Sequence, residues 1–168
     1  MLSGSSLRIK LLSHDGSKTI EVRCDMNLGT TGAIFSFALK REAEIGVFYS
    51  TYLSIIDSSK LRDAFVLLKK EQQKRERLLN RFRRENVTEM ILEPIHDFES
   101  ESFELTTTIQ ESLDDSILHE HAIKVEENSH SFFLKASEKT TFLPEVSDEF
   151  KRLSNKAEKN ISMLKSIS

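Results

Sequence analysis

Four separate stretches of this chain place apolar residues in alternating steps of four and three, the spacing of one helix face turned toward its neighbours. Between Ala33 and Asp57 the stripe is Phe35, Ala38, Glu42, Ile45, Tyr49, Tyr52 and Ile56. From Ser59 to Glu85 it is Leu61, Phe65, Leu68, Gln72, Arg75, Leu79 and Phe82. Within Ser112 to Lys139 it includes Ala122, Glu126, Ser129, Phe133 and Ala136. After Pro144 it is Val146, Phe150, Leu153, Ala157, Asn160, Leu164 and Ile167. Four such stripes predict an all-α four-helix bundle. The composition agrees, because 5 Gly and 2 Pro among 168 residues, with 30% of them charged, suit long solvated helices better than sheets with many turns. That length holds one domain with one sizeable core.

The connections set the order in space. Thr30 and Thr31 offer N-caps to helix one. The short link at Asp57, Ser58 and Ser59 sends helix two back antiparallel. The interval from Asn86 to Glu111 is too long for a turn and carries Pro94, so it is expected to be a long crossover that lays helix three parallel to helix two. Its apolar residues Met90, Ile91, Leu92, Ile95, Phe98, Phe103 and Leu105 predict that it packs onto the bundle. Ser112 with Asp115 resembles a capping pair for helix three, and Pro144 suits the first position of helix four. Ahead of the bundle, two aliphatic runs between Leu7 and Asp25 flank an Asp15-Gly16 turn signal, predicting a short N-terminal β-hairpin or an extended arm. The expected plan is an arm over residues 1–29 and a bundle over residues 30–168.

Several classes of function find no support. A net charge of −3 gives no global pull toward nucleic acid or membrane, and neither is expected as a partner. Helix two does carry Lys69, Lys70, Lys74, Arg77, Arg81, Arg83 and Arg84. No Lys or Arg follows until Lys124, and acids crowd that gap, so the basic face is expected to meet its own acidic crossover or water. The single cysteine, Cys24, excludes an internal disulfide and any four-cysteine metal site within one chain. With no leader pattern and no apolar run of about 20 residues, a cytoplasmic location is expected.

The informative residues are those that break the stripes. Glu42 interrupts the first, Gln72 and Arg75 the second, Glu126 the third, and Asn160 the fourth, three residues after Ala157. All fall near the middle of their helices, so they are predicted to form one polar layer. A buried carboxylate is costly unless a metal, a cation or hydrogen-bond donors meet it. The pattern of one position, then two positions three apart, twice over, is the ligand spacing of carboxylate-bridged dimetal bundles.

In ALKREAEIGVFY and AIKVEENSHSFF a Glu stands six residues before an aromatic pair, and LKKEQQKRERLL and LSNKAEKNISML supply the other two helices. With these segments the chain resembles the rubrerythrin-like branch of the ferritin-like superfamily, over about Ala33 to Ile167. The resemblance implies two irons held by a Glu from each of two helices and a Glu-x-x-His pair from each of the others. Glu42 and Glu126 stand at ligand positions, while Gln72, Arg75, Ala157 and Asn160 stand where both Glu-x-x-His pairs would be.

A guanidinium beside two carboxylates does not make a dimetal site. The expectation is a degenerate diiron site in which Arg75 neutralises Glu42 and Glu126, with Gln72 and Asn160 completing the hydrogen bonds. Such a chain would be a non-catalytic binding or assembly scaffold without cofactor, homodimeric as bundles of this kind usually are. The alternative is an altered metal site of Glu42, Glu126 and His130 holding iron or manganese, in a non-haem oxidoreductase that reduces peroxide or oxidises iron. Lacking a cysteine-rich electron-transfer module, that enzyme would take electrons from another protein. A register with Glu71 and Lys74 turned inward is disfavoured because it exposes Leu68 and Leu79. His96, His119 and His121 are expected in solvent, and Phe48, Tyr49, Tyr52, Phe132 and Phe133 in the core.

Overall fold

The computed structural model describes residues 27–86, 93–105 and 114–167 in full, and residues 6–14 and 17–25 as backbone. Four helices make up the bundle: α1 (Thr31–Tyr52), α2 (Ser59–Glu85), α3 (Asp115–Lys139) and α4 (Pro144–Lys165). Ahead of them the backbone of β1 (Ser6–His14) pairs antiparallel with β2 (Ser17–Asp25), Ser6 opposite Asp25 and His14 opposite Ser17. The Asp15-Gly16 turn signal, Met90, Ile91, Leu92 and Ser112 lie outside the described residues.

Side chains that satisfy free backbone N–H groups set the helix starts. The Thr30 hydroxyl accepts from the Ala33 N–H at 3.1 Å and the Ser58 hydroxyl from the Leu61 N–H at 3.4 Å. Helix α3 is capped by Asp114, whose carboxylate accepts the Asp115 N–H at 3.1 Å. Pro144 opens α4, where its missing N–H costs nothing. The Asp115 carboxylate also reaches the link between α1 and α2, accepting the N–H groups of Asp57 at 3.2 Å and Ser58 at 2.6 Å.

The buried residues fall into two apolar clusters. One joins Phe35 at the start of α1, Leu79 near the end of α2, Phe133 and Ala136 late in α3, and Val146 and Phe150 early in α4. The other joins Tyr49 and Tyr52 late in α1, Leu61 and Phe65 early in α2, Leu118 and Ala122 early in α3, and Leu164 late in α4. Early and late positions therefore meet so that α2 and α3 run parallel and α1 runs against both. Each fully buried aliphatic or aromatic side chain here contributes roughly 1.5–3 kcal/mol relative to exposure.

The chain leaving α2 must travel the length of the bundle to begin α3. Its described part, residues 93–105, docks by backbone onto the segment before α1, with the Ile95 N–H on the Gly29 carbonyl at 2.9 Å and the Leu28 N–H on the Phe98 carbonyl at 3.1 Å. Phe98 and Phe103 then pack on Phe132 of α3, with centroids 5.9 and 5.6 Å away. Of the two expected surroundings of the basic face of α2, water is the one observed: the described crossover lies on the segment before α1 and on α3, and among the described residues it makes no ion pair with that face. No helix among the described residues is long and apolar enough to cross a membrane.

Candidate functional site: a charged layer between two apolar cores

Between the two clusters the stripes of all four helices bring their polar exceptions together. Arg75 lies 1% exposed, with Glu42 and Glu126 completely buried on either side of it. Its Nη1 and Nη2 donate to Glu126 Oε2 and Oε1 at 3.0 and 3.3 Å, a two-pronged grip. Its Nε donates to Glu42 Oε2 at 3.1 Å. The guanidinium thus spans the two acids, and no other cation among the described residues reaches either carboxylate.

The acids are not held alike. Glu126 receives two further bonds, from the Tyr49 hydroxyl at 2.8 Å on Oε1 and from Asn160 Nδ2 at 3.0 Å on Oε2. Four donors on two oxygens use the whole acceptor capacity of a carboxylate. Burial pushes the Glu126 carboxyl up, but Arg75 and the bonds from Arg75, Asn160 and Tyr49 outweigh it and leave it below the ordinary value of 4.5. Glu42 has only the bond from Arg75 on Oε2, and its buried Oε1 has no partner. Burial is its largest influence and wins over the attraction of Arg75, so Glu42 is raised above 4.5. Burial also pulls the Arg75 guanidinium down, yet Glu126 and Glu42 raise it above its usual value, and it stays charged.

Gln72 serves the layer through the backbone. Its Nε2 donates to the Glu42 main-chain carbonyl at 2.7 Å and lies 3.2 Å from Glu76 Oε2. A glycine makes that approach feasible, because a Cβ at Gly46 would sit 3.0 Å from Gln72 Oε1. Glu71 and Lys74 pair with each other at 2.5 Å, with Lys74 exposed, so they belong to the outside of α2.

His130 does not join the two acids. Its Nδ1 lies 2.9 Å from the Ser154 hydroxyl and 3.1 Å from the Ser154 carbonyl, which ties α3 to α4 away from the layer. His119, expected in solvent, is half-buried with Nε2 2.8 Å from the Leu164 carbonyl. Two members escaped the reading by residue type. Tyr49 sits at an apolar stripe position and hides a hydroxyl that reaches Glu126; burial, then Glu126, push its pKa far up, so it remains a donor. Arg41, next to Glu42 but off the stripe, is 1% exposed. Its Nη2 donates to Asn128 Oδ1 at 2.5 Å and its guanidinium lies 4.7 Å from the Phe132 ring centre, while Nε and Nη1 have no partner. Burial lowers it to about 10, so it too stays charged at neutral pH. The layer then balances two carboxylates with two guanidiniums.

The donor set does not fit a pair of irons. Three of the four carboxylate oxygens are taken by nitrogen or hydroxyl donors, a fixed cation stands between the acids, and Ala157 fills a ligand position with a methyl group. A divalent metal beside Arg75 would add repulsion where the layer is already neutral. Among the described residues no group of three or more His, Cys, Asp or Glu is placed to hold a metal ion. Comparison of the chain with protein-family models, with curated proteins and with solved structures gave no significant match.

Proposed function

We propose that the protein is a ferritin-like bundle of the rubrerythrin-like kind in which a guanidinium has taken the place of the metals, and that it works as a non-catalytic scaffold for binding or assembly. One observation carries the reading: Arg75 bridges Glu42 and Glu126 at 3.0–3.3 Å, in the layer where the resemblance expects two irons. Three of the layer's groups have no capacity left for chemistry, and the fourth, Glu42, keeps one free oxygen that is sealed from solvent. Tyr49 holds its proton, Arg75 cannot give one up, and Glu126 has no lone pair left for a substrate. What the layer retains is structural: complementary charges that align the middles of α1, α2 and α3, with the Asn160 amide joining α4. The β1–β2 arm, as a hairpin, belongs to this reading as an accessory surface, and the partner is another protein or another copy of the chain.

Elemental analysis of protein purified without chelators, repeated after incubation with ferrous iron and with manganese, tests the reading. The expected content is well below one metal per chain under each condition. Stoichiometric iron or manganese that is lost in Glu126→Gln would overturn it in favour of the altered-site oxidoreductase.

A further inference from the structure

Helix α2 carries ten Lys and Arg against four Asp and Glu, a surplus of six, while the whole chain is at −3; the remainder therefore carries −9. Much of the surplus is aligned. Lys70, Lys74, Arg77, Arg81 and Arg84 are all exposed and follow one another in steps of four, three, four and three, on the side opposite the buried stripe. At 1.5 Å per residue they form a straight ridge about 21 Å long. Lys74 is shared with Glu71 and Arg81 lies 4.0 Å from Glu85, while Lys70, Arg77 and Arg84 have no ion-pair partner among the described residues.

The complementary surface is on the same chain but faces another way. Glu93, Asp97, Glu99 and Glu101 are exposed within nine residues of the crossover and make no ion pair among the described residues. Their backbone is held, by the bonds to Leu28 and Gly29 on one edge and by Phe98 and Phe103 on Phe132. The described crossover lies on the segment before α1 and on α3 while the ridge faces outward from α2, and within one molecule the two make no ion pair among the described residues. A second copy can bring them together.

We infer that the ridge of α2 docks on the acidic crossover of a second copy of this chain. The contact pairs two different patches of the chain, so it either closes reciprocally in a two-fold dimer or continues head-to-tail. A nucleic acid fits the ridge less well, since the ridge carries no aromatic side chain for bases to stack on and the remaining −9 repels phosphates. The inference rests on the scaffold reading, and the two are tested apart: metal content decides that reading and self-association decides this one.

Sedimentation velocity of the full chain between about 10 mM and 1 M salt, over which the screening length falls from about 30 to 3 Å, provides the test. The expected result is a mass that climbs with concentration above the monomer at low salt and returns to the monomer at high salt. A ridge reversal, Arg77→Glu with Arg81→Glu and Arg84→Glu, and a crossover reversal, Glu93→Lys with Glu99→Lys and Glu101→Lys, change only exposed side chains, and unchanged helical circular dichroism confirms that each folds. Each variant alone should be monomeric, because its two patches now share one sign. An equimolar mixture should assemble again, since each reversed patch finds its opposite on the other variant. The inference is overturned by a parent that is monomeric throughout or stops at a salt-insensitive dimer, by a single variant that associates like the parent, or by a mixture that stays monomeric. Binding of a duplex DNA oligonucleotide through the ridge in place of self-association would overturn it in favour of a phosphate partner.

Discussion

Arg75 and Arg41 are each 1% exposed, but Arg75 lies between carboxylates on the bundle axis while Arg41 lies between α1 and α3 near the crossover. Arg75 makes three hydrogen bonds to two acids and is raised; Arg41 makes one bond to an amide, rests on Phe132, leaves two nitrogens without a partner and is lowered to about 10. Burial penalises both guanidiniums, so the difference lies in what replaces water. A carboxylate pair returns the solvation energy through charge and direction; an aromatic face and one amide return only part of it. Depth in the core therefore says little about what a buried charge contributes, and completeness of its partners says much.

The largest effect expected from this contrast follows removal of the well-partnered cation. Arg75→Met should cost on the order of 3–5 kcal/mol in urea unfolding, because it leaves two acids buried without their cation. The triple variant Glu42→Leu, Arg75→Met, Glu126→Leu should recover part of that loss, since it removes both uncompensated acids while Arg41 keeps its charge and the Tyr49 hydroxyl and Asn160 amide lose their acceptor. A melting curve for Arg75→Met that overlays the parent would show that the layer is solvated in some other way.

The two acids should then part company with pH. Glu126 is depressed in the folded state, so its contribution is present above 4.5 and lost as pH falls through its folded value, which lies lower still. Glu126→Gln should accordingly be destabilised at neutral pH by about 2 kcal/mol or more, with the gap to the parent closing in acid. Glu42 is raised, so its influence has the opposite sign: favourable below 4.5 and lost as pH rises through its folded value. Glu42→Gln should gain on the parent as pH rises. Stability curves of the two variants with the same slope against pH would contradict the asymmetry.

Smaller effects test the supporting donors and the poorly partnered cation. Tyr49→Phe removes one of four donors to Glu126 and should cost about 1.5 kcal/mol, together with a rise in the pH at which acid unfolding begins. Arg41→Met removes a charge with two unpartnered nitrogens and should change stability by less than about 1 kcal/mol in either direction. A loss as large as that of Arg75→Met would erase the distinction between the two arginines.

Much of this layer is legible from spacing. Helix α2 begins and ends where its Ser cap and terminal basic residues suggest, and its stripe turns Gln72 and Arg75 inward because any other register exposes Leu68 and Leu79. Arg75 is the only cation on any stripe, so its pairing with Glu42 and Glu126 needs only helix periodicity and charge. What is not legible depends on contacts between remote segments. Tyr49 has the ring of a core residue, and only the position of α3 turns its hydroxyl into a ligand of Glu126. Arg41 lies off the stripe and is buried only because of the way α1, α3 and the crossover close around it. Charge left two surroundings open for the basic face of α2, and the choice between them depends on backbone bonds to Leu28 and Gly29 and on the aromatic stack on Phe132, neither of which has a periodic signature.

The reach of Asp115 has a consequence for how parallel helices are tolerated at one end of the molecule. Helices α2 and α3 begin at the same end, so their positive dipole termini point the same way and disfavour each other. A single carboxylate in the first turn of α3, bonded to the amide of the residue that caps α2, offsets both termini at once. One anion thereby acts as a shared counter-charge for two co-directional helices, and it anchors the place where the long crossover has to finish.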